Sequence, residues 1–361
     1  YWLCQGYKAI LEARSVPFLL CTMPPSTLER WRNQLNHSIE TWRWPYPEQA
    51  LFKAMLLGNK SELSKAQKDA YARAGLSHVL AVSGFHLGII YLLLNYLSWF
   101  LKGFKKARVL RVLFIVLALW LYALLSGMSP SVIRATTMFS ILSLSNLSRR
   151  RVDGIRILIY SALLLLWISP QLLSELGFQL SYAALAGILL LMPSVQAWST
   201  GWPNYLKWPF ELLMVSIAAQ LFTAPLSLYY FHYFPLYFWL SNLVITPLVS
   251  VGMYLGVLSL ALSNAVALPP FISDFLYLIF KAQSMWVEFV AHLSFSRIGP
   301  FYFNRPQVFA SLLFVLLTGL YIRYRKKSYL YTSLIVLIGL ALFSFSSKSG
   351  LNGRWWGDKA F

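Results

Sequence analysis

Charged side chains are scarce in this sequence, and their scarcity excludes an ordinary soluble domain. Only 12% of the 361 residues are Asp, Glu, Lys or Arg, while 58% are hydrophobic; soluble proteins carry about 25% charged residues. Acidic residues are rarer still, 12 against 31 basic ones, which gives a formal net charge of +19. We therefore expect an integral membrane protein whose positive charge reflects anionic lipid, nucleic acid or membrane topology.

Several elements that catalytic, metal-binding and nucleotide-driven proteins need are also missing. Cys4 and Cys21 are the only cysteines, so one optional disulfide is possible and a thiolate cluster is not. The five His residues show no HxH, HExxH or HxHxDH spacing, so we expect no metal, no cofactor and no nuclease activity. A P-loop GxxxxGK[ST] is absent, so the chain is not expected to power transport itself. The chain begins with Tyr1 and lacks a signal-peptide pattern, which indicates a fragment or truncated form.

Short amphipathic helices are predicted before the first long apolar run. Ser26 and Glu29 form a capping box ahead of a helix whose apolar face carries Leu28, Trp31, Leu35, Ile39 and Trp42. The membrane interface and a packed soluble neighbour explain this face equally well. Two further helices, over residues 47 to 57 and 64 to 74, are predicted to end at Gly58 and Gly75.

Ten apolar runs follow, and they predict an all-α, polytopic membrane helical bundle. They cover residues 79 to 101, 109 to 126, 130 to 147, 155 to 168, 172 to 192, 209 to 231, 236 to 262, 271 to 293, 307 to 322 and 329 to 345. Pro247 interrupts its run, which predicts a broken or re-entrant helix there. The chain thus divides into an N-terminal remnant (1 to 45), a transmembrane domain (46 to 300), and two C-terminal spans with a tail (301 to 361).

Basic residues are concentrated in three loops, and their placement predicts the topology. The loops lie at residues 102 to 111, 149 to 156 and 323 to 327. Ten spans place all three on one side, which the positive-inside rule makes the cytoplasm. The N-terminal segment and the C-terminal tail are then expected outside the cytoplasm.

Polar residues at helical spacing mark one face of three spans. The sets are Lys281, Ser284, Glu288 and His292; Ser216, Gln220, Thr223 and Ser227; and Glu175, Gln179 and Tyr182. Hydrogen bonds between helices explain the Ser, Thr and Gln positions. Lys281 and Glu288 are too far apart on one helix for a direct pair, so each needs another partner or water, which a polar cavity would supply.

Two residues near helix starts are further candidates. Ser129 and Pro130 form an expected cap and first helical position, so Arg134 lies about one turn inside its helix. Its side chain either snorkels outward or presents a planar, permanently charged fork to a passing phosphate. Asn242 lies ahead of Pro247, where its amide can satisfy a freed backbone carbonyl or line a cavity.

His78 and His86 flank a Ser83-Gly84 pair in an otherwise apolar stretch. A Ser-His hydrolase is one interpretation, although a nucleophile and base usually need a third orienting group and no GxSxG elbow is present. Polar groups facing a protein-lined interior are the other interpretation.

Four of these segments resemble the competence domain of the ComEC family and occur in its order. They are HVLAVSGFH (78 to 86), SPSVIRA (129 to 135), LGFQLSYAA (176 to 184) and LSNLVITPL (240 to 248). The resemblance covers about residues 45 to 300. It implies a non-enzymatic inner-membrane channel that passes single-stranded DNA into the cytoplasm during natural transformation, and it matches Arg134 to the family's RA motif.

The residues expected to line the path or contact DNA are His78, Ser83, His86, Arg134, Glu175, Gln179, Tyr182, Gln220, Asn242, Lys281 and Glu288. The implied partners are single-stranded DNA, membrane lipids, DNA-delivery proteins outside and an energy-coupling ATPase inside. Two alternatives stay open: a transporter or flippase of another anionic polymer or lipid, and an intramembrane hydrolase that uses Ser83 with His78 or His86.

Overall fold

The structure is a computed structural model that describes residues 27–42, 44–99, 105–147, 152–263 and 270–352. The predictions for Cys4, Cys21, Ser26 and the arginines at 149–151 lie outside these ranges. The helices are α1 (Thr27–Glu40), α2 (Tyr46–Leu57), α3 (Lys65–Arg73), α4 (Gly84–Leu97), α5 (Lys105–Leu125), α6 (Pro130–Ser145), α7 (Gly154–Ile168), α8 (Leu176–Trp198), α9 (Asn204–Phe231), α10 (Phe238–Ser263), α11 (Pro270–His292), α12 (Arg305–Tyr324) and α13 (Lys327–Asn352). A 3-10 helix spans Pro170–Ser174, and strands β1 (Phe234–Pro235) and β2 (Arg297–Ile298) pair antiparallel.

Local signals set the ends of the short helices as predicted. Gly58 ends α2 in the left-handed conformation, with φ of 74°. Ser64 and Gln67 form a reciprocal capping box at the start of α3, with both hydrogen bonds at 3.1 Å. Pro130 is the first residue of α6, where its missing N–H costs no helical hydrogen bond.

The prediction of a broken or re-entrant helix at Pro247 is wrong. Helix α10 runs without a break from Phe238 to Ser263 and contains Pro247 in its interior. A proline removes one backbone hydrogen bond, but packing against neighbouring helices can keep the segment helical. Helices α4, α9 and α11 all pack against α10, and α9 likewise continues through Pro209 and Pro225.

Ten spans are not confirmed. Among the described residues, five helices are long and apolar enough to cross a membrane: Ala107–Leu125, Leu176–Trp198, Asn204–Phe231, Phe238–Leu260 and Arg305–Tyr324. Shorter apolar helices cover Gly84–Leu97, Gly154–Ile168 and Lys327–Leu340. The first predicted span is short because the helix begins at Gly84, five residues later than residue 79. This pattern is that of an all-α membrane protein.

Glycines allow close contacts between the long helices. Helices α8 and α9 form an antiparallel pair in which a Cβ on Gly187 would lie 2.5 Å from the carbonyl oxygen of Ala218. Helix α12 packs on this pair, with Gly319 against Phe222. Helices α10 and α11 form a second pair, in which Gly252 lies against aromatic and aliphatic side chains of α11.

Helix α2 is buried in the fold. All residues from 50 to 57 are buried, and α2 contacts α1, α10 and α11. Trp44, just before α2, donates its indole N–H to Ser273 Oγ at 3.0 Å, and Phe52 packs edge-on against Phe280 at 5.1 Å. Helix α1 buries Ile39 completely and contacts α2, α5 and α10. The C-terminal part of its apolar face, Leu35, Ile39 and Trp42, therefore packs on this chain's own helices, whereas Trp31 is half exposed.

A buried lysine connects α1 to α2. Lys53 is 3% exposed, and its Nζ lies 3.0 Å from Glu40 Oε1 and 3.1 Å from Glu62 Oε2. Burial lowers the pKa of Lys53, but hydrogen bonds and attraction from the two carboxylates outweigh burial, so the pKa is raised. The hydrogen bond and charge of Lys53 lower the pKa of Glu40.

Candidate functional site

Three of the sequence motifs meet where α4, α6 and α8 begin. Ser131 Oγ in the first turn of α6 donates to the carbonyl oxygen of Val82 at 2.8 Å, which fixes α6 against the residues that precede α4. Arg134 extends from α6 towards α8, where a Cβ on Gly177 would lie 3.7 Å from Nη2 and 3.8 Å from Nη1. The Arg134 guanidinium therefore lies against the start of α8, at a position with no side chain.

Arg134 is buried and unpaired. It is 6% exposed, and its Nε and Nη1 atoms have no hydrogen-bond partner in the described part of the chain. The outward-snorkelling interpretation does not fit this burial. An arginine keeps its proton in proteins, so an isolated buried guanidinium is costly unless an anion accepts its hydrogen bonds.

Among the described residues no carboxylate forms a salt bridge with Arg134, although Tyr182 and Glu175 act on its charge. Helix N-termini carry partial positive charge, and α6 and α8 both begin within about one turn of the guanidinium. Glu175 occupies the N-cap position of α8 and acts on the charge of Arg134, but its carboxylate is exposed and forms no salt bridge with Arg134. A phosphate or carboxylate from outside the chain would complete this arrangement.

The other polar residues of α8 form hydrogen bonds that fix α8 beside Arg134. Gln179 Nε2 donates to the carbonyl oxygen of Leu173 at 2.9 Å and thereby ties α8 to the preceding 3-10 helix. Tyr182 donates its hydroxyl to Ser161 Oγ on α7 at 3.1 Å and packs against Phe178 with ring centroids 4.3 Å apart. Because the Tyr182 ring and hydroxyl are both engaged, this residue positions α8 against α7.

Ser83 and His86 form the N-terminal cap of α4. The Ser83 backbone N–H donates to His86 Nδ1 at 3.0 Å, and Ser83 Oγ lies 2.9 Å from the same nitrogen. Since Nδ1 accepts a hydrogen bond, the neutral ring carries its hydrogen on Nε2. That Nε2 is buried without a partner among the described residues. The pair thus lacks the orienting third group that a Ser-His hydrolase usually needs.

Lys281 and Glu288 do not join this site. Both are exposed on α11, which packs on α10, α3 and α2 through its apolar face. Lys281 Nζ lies 5.6 Å from the centroid of the Tyr277 ring. The expectation that Lys281 and Glu288 share one hollow with Arg134 and His86 is not met in the described residues, because both lie on the exposed side of α11, beside apolar side chains such as Met285.

The remaining predicted site residues lie on separate elements. His78 lies in the turn before α4, close enough to act electrostatically on His86, while Gln220 and Asn242 are half-buried on α9 and α10. The structure thus brings together His78, Ser83, His86, Arg134, Glu175, Gln179 and Tyr182, and it leaves Gln220, Asn242, Lys281 and Glu288 elsewhere.

Sequence reasoning missed two features of this region. Gly177 is one, since its missing side chain gives room to the guanidinium, and its place in the LGFQLSYAA segment was the available signal. The other is a row of hydroxyls on α6, Thr136, Ser140 and Ser143, which are buried without hydrogen-bond partners in the described chain. Their spacing of four and three residues puts them on one helical face.

Comparison with known proteins identifies relatives. A family profile described as "Competence protein" matches residues 55–327. ComE operon protein 3 of Bacillus subtilis is 32% identical over 224 residues, covering 61% of this chain and 27% of that protein. An uncharacterized protein of Aquifex aeolicus is 34% identical over 212 residues, covering 58% of this chain and 47% of the relative.

Recombination protein 2 of Haemophilus influenzae is 26% identical over 211 residues, covering 56% of this chain and 27% of that protein. The chain thus spans about a quarter to a half of the length of these curated relatives. No solved structure matches it.

Proposed function

Because this chain belongs to the competence protein family, we propose that it forms the inner-membrane channel that passes single-stranded DNA into the cytoplasm during natural transformation. The names of relatives support the proposal, one from the ComE operon and one called a recombination protein. DNA-delivery proteins outside and an energy-coupling ATPase inside are part of this proposal, since the sequence has no P-loop.

The observation that carries the proposal is the unpaired guanidinium of Arg134. Its Nε and Nη1 atoms lack acceptors in the described chain, and it lies beside the N-terminal ends of α6 and α8. Such a group binds phosphate oxygens in a charge-assisted, bidentate manner. As the strand moves through the channel, each phosphate would bind Arg134 briefly and then be replaced by the next phosphate of the strand.

The phosphate-binding chemistry of Arg134 also suits a transporter or flippase of another anionic polymer or lipid. The two functions differ in what competes for the site. A DNA channel predicts that single strands bind with an affinity that falls as salt rises, because phosphate neutralisation releases counterions. A lipid flippase predicts that vesicles containing anionic lipid compete with the strand, whereas zwitterionic vesicles do not.

Transformation frequency tests the function directly. The full chain is expressed in a naturally transformable bacterium whose own competence channel has been deleted. We expect the wild-type chain to restore transformants, and Arg134→Ala to lower their frequency about 30-fold or more, the equivalent of about 2 kcal/mol for a desolvated charge contact. Arg325→Ala is the matched control, since Arg325 is exposed at the opposite end of the bundle.

Normal uptake in Arg134→Ala would remove Arg134 from the mechanism, provided that immunoblots show equal accumulation of both variants in the membrane. Failure of the wild-type chain to restore transformation would show that these residues do not form the conduit by themselves.

The proposal includes no catalytic step. His86 Nδ1 already accepts the Ser83 backbone N–H, so the pair is arranged as a helix cap. Uptake that survives the combined substitutions Ser83→Ala, His78→Ala and His86→Ala would remove this segment from both conduction and hydrolysis. Loss of uptake together with loss of a hydrolytic product would instead favour the hydrolase.

A further inference from the structure

A cluster of exposed aromatic and basic side chains surrounds the point where α9 ends and α12 begins. We call it the aromatic rim, and it consists of Tyr230, Tyr233, Phe295, Arg297, Phe301 and Tyr302. Phe295 is 78% exposed and Tyr302 is 77% exposed. Rings this exposed bury little surface in the chain itself, so their faces and edges are available to a ligand.

Backbone hydrogen bonds and ring contacts, rather than burial of the side chains, hold the residues of the rim in position. Strands β1 and β2 pair within it, with Phe234 opposite Ile298. The backbone N–H of Phe301 donates to the carbonyl oxygen of His232 at 2.7 Å, and His232 Nδ1 lies 3.1 Å from the carbonyl oxygen of Phe301. The His232 and Tyr302 rings have centroids 5.3 Å apart. The His232 ring thus packs against the Tyr302 ring and restricts its motion, so the Tyr302 side chain loses little conformational freedom when a ligand binds.

Arginines accompany the rings. The guanidinium carbon of Arg297 lies 4.0 Å from the centroid of the Tyr233 ring, and Arg305 Nε lies 3.4 Å from the Tyr229 hydroxyl. Asp69 is the carboxylate near Arg297, at 3.8 Å, and it also pairs with Arg73 at 2.9 Å. One carboxylate shared by two arginines leaves positive charge beside the rim.

The rim lies at the same end of the bundle as Arg134. Helices α8 and α9 are antiparallel, and Gly187 is level with Ala218. Counting 11 residues along each helix from this contact places Leu176 level with Tyr229. Gly177, against which the Arg134 guanidinium lies, therefore neighbours the end of α9 from which the rim extends.

We propose that the aromatic rim is a docking platform on which unpaired bases of a single strand stack while Arg297 and Arg305 hold adjacent phosphates. The inference rests on the proposed function and deepens it, because it names where the strand first binds. Aromatic rings with nearby arginines are the combination that binds single strands without sequence preference.

A membrane-interface belt is the competing explanation of exposed aromatic residues, and such belts favour Trp and Tyr. Segments 229–235 and 294–305 contain no Trp, and the most exposed ring there belongs to Phe295, which has no polar atom for the headgroup region. The opposite end of α9, by contrast, exposes Trp202, Tyr205 and Trp208. Tyr230, Tyr233 and Tyr302 fit such a belt as well as a platform. Base stacking is favoured by the arginines that accompany the rings, Arg297 over the Tyr233 ring and Arg305 at the Tyr229 hydroxyl.

The test measures binding of fluorescein-labelled oligothymidylate to the full chain in phosphatidylcholine nanodiscs, by fluorescence anisotropy. We expect Tyr302→Ala to raise the Kd about fivefold or more through loss of one stacking ring, and Tyr302→Trp to preserve it. The matched control is Tyr205→Ala, which removes a ring of 76% exposure at the other end of α9. Arg297→Ala should reduce the slope of log affinity against log salt by about 0.7, the loss of one phosphate contact.

Three outcomes would overturn the platform: no binding by the wild-type chain, an unchanged Kd in Tyr302→Ala, or an equal loss in Tyr205→Ala. If Tyr302→Ala lowers recovery of the chain in membranes while strand affinity is kept, the rim is an interface belt. Transformation frequency separates this inference from the channel. Lost uptake in Arg134→Ala with normal strand binding in Tyr302→Ala would keep the channel and remove the platform. Weakened strand binding in Tyr302→Ala together with failure of the wild-type chain to restore transformation would keep strand binding at the rim and remove the channel.

Discussion

At the residue scale, Arg134 lies beside residues that neither cover its guanidinium nor pair with it. Gly177 has no side chain to cover the guanidinium, and Glu175 stops short of a salt bridge. The chain thereby keeps a buried cation unpaired, which is unfavourable in isolation and useful only if a ligand supplies the anion. From the sequence, an outward-snorkelling side chain and a phosphate contact were open alternatives, because depth within a helix does not reveal which neighbours cover it.

Gly177→Ala tests this environment without removing the charge. The new Cβ would lie 3.7 Å from Nη2, an ordinary van der Waals contact, so the fold should be unchanged. The methyl group restricts approach to the guanidinium, and we expect transformation frequency to fall about threefold to tenfold, equivalent to about 1 kcal/mol. Equal thermal stability of wild-type and variant chains in detergent is the control. Unchanged uptake would mean that the ligand does not approach Arg134 from the α8 side.

At the element scale, the ends of the short helices were predictable, whereas the start of α4 and the environments of the helices were not. Gly58, Gly75, Ser64 and Pro130 act through local geometry, so the sequence indicates where α2, α3 and α6 begin or end. The continuity of α10 through Pro247 and the complete burial of α2 depend on helices distant in sequence. A local pattern reports propensity and periodicity, whereas these two features are decided by tertiary packing.

The α8–α9 pair gives a prediction for helix packing. In Gly187→Ala the added Cβ would meet the backbone oxygen of Ala218 at 2.5 Å, so the helices must separate. Overpacking of this kind costs about 1–3 kcal/mol, and we expect a lower Tm in detergent. Gly339→Ala on α13 is the matched control, because nothing lies within 4 Å of its Cβ position. Equal Tm values for the two variants would show that α8 and α9 are not closely packed at Gly187.

Lys53 gives a second prediction, for the contact between α1 and α2. Glu40→Gln combined with Glu62→Gln leaves the 3% exposed ammonium without a carboxylate, which should destabilise the fold by about 3–5 kcal/mol. Lys53→Met should cost less, because Glu40 and Glu62 are partly exposed and remain hydrated. Thermal unfolding in detergent measures both. A larger loss in Lys53→Met would contradict this reasoning.

The same cluster predicts a pH dependence. The folded-state pKa of Glu40 is lowered, so its contribution to stability is present above the ordinary glutamate pKa and is lost as pH falls through the lowered value. The difference in Tm between wild type and Glu40→Gln should therefore shrink as the medium is taken from neutral pH into the acid range below about pH 4. A difference that stays constant over this interval would show that the Glu40 carboxylate contributes nothing through its charge.

At the scale of the whole molecule, basic segments gather at one end of the bundle. Arg323 on α12 donates to the carbonyl oxygen of Leu189 on α8 and lies 3.2 Å from Asp153, which precedes α7. Two of the three basic loops that the sequence marks therefore lie side by side. Arg111 on α5 bonds to Asn95 of α4, so the first basic segment is held against the C-terminal end of α4.

This arrangement predicts accessibility from the two sides of the membrane. With Cys4 and Cys21 replaced by Ser, a membrane-impermeant maleimide should label Phe295→Cys in intact cells and Arg325→Cys only after permeabilisation. The reason is that the basic end is retained in the cytoplasm. Labelling of Arg325→Cys from outside would reverse the orientation and place the aromatic rim inside.

The burial of α2 has a consequence for how the molecule is made. Trp44 and its hydrogen-bond partner Ser273 are 229 positions apart in the sequence, and the α2 side chains pack on α10 and α11. During synthesis the ribosome has therefore finished α2 long before the helices that cover it exist, and the insertion machinery must shelter its apolar surface meanwhile. Chains released before α11 emerges should expose this segment and become substrates for membrane proteases.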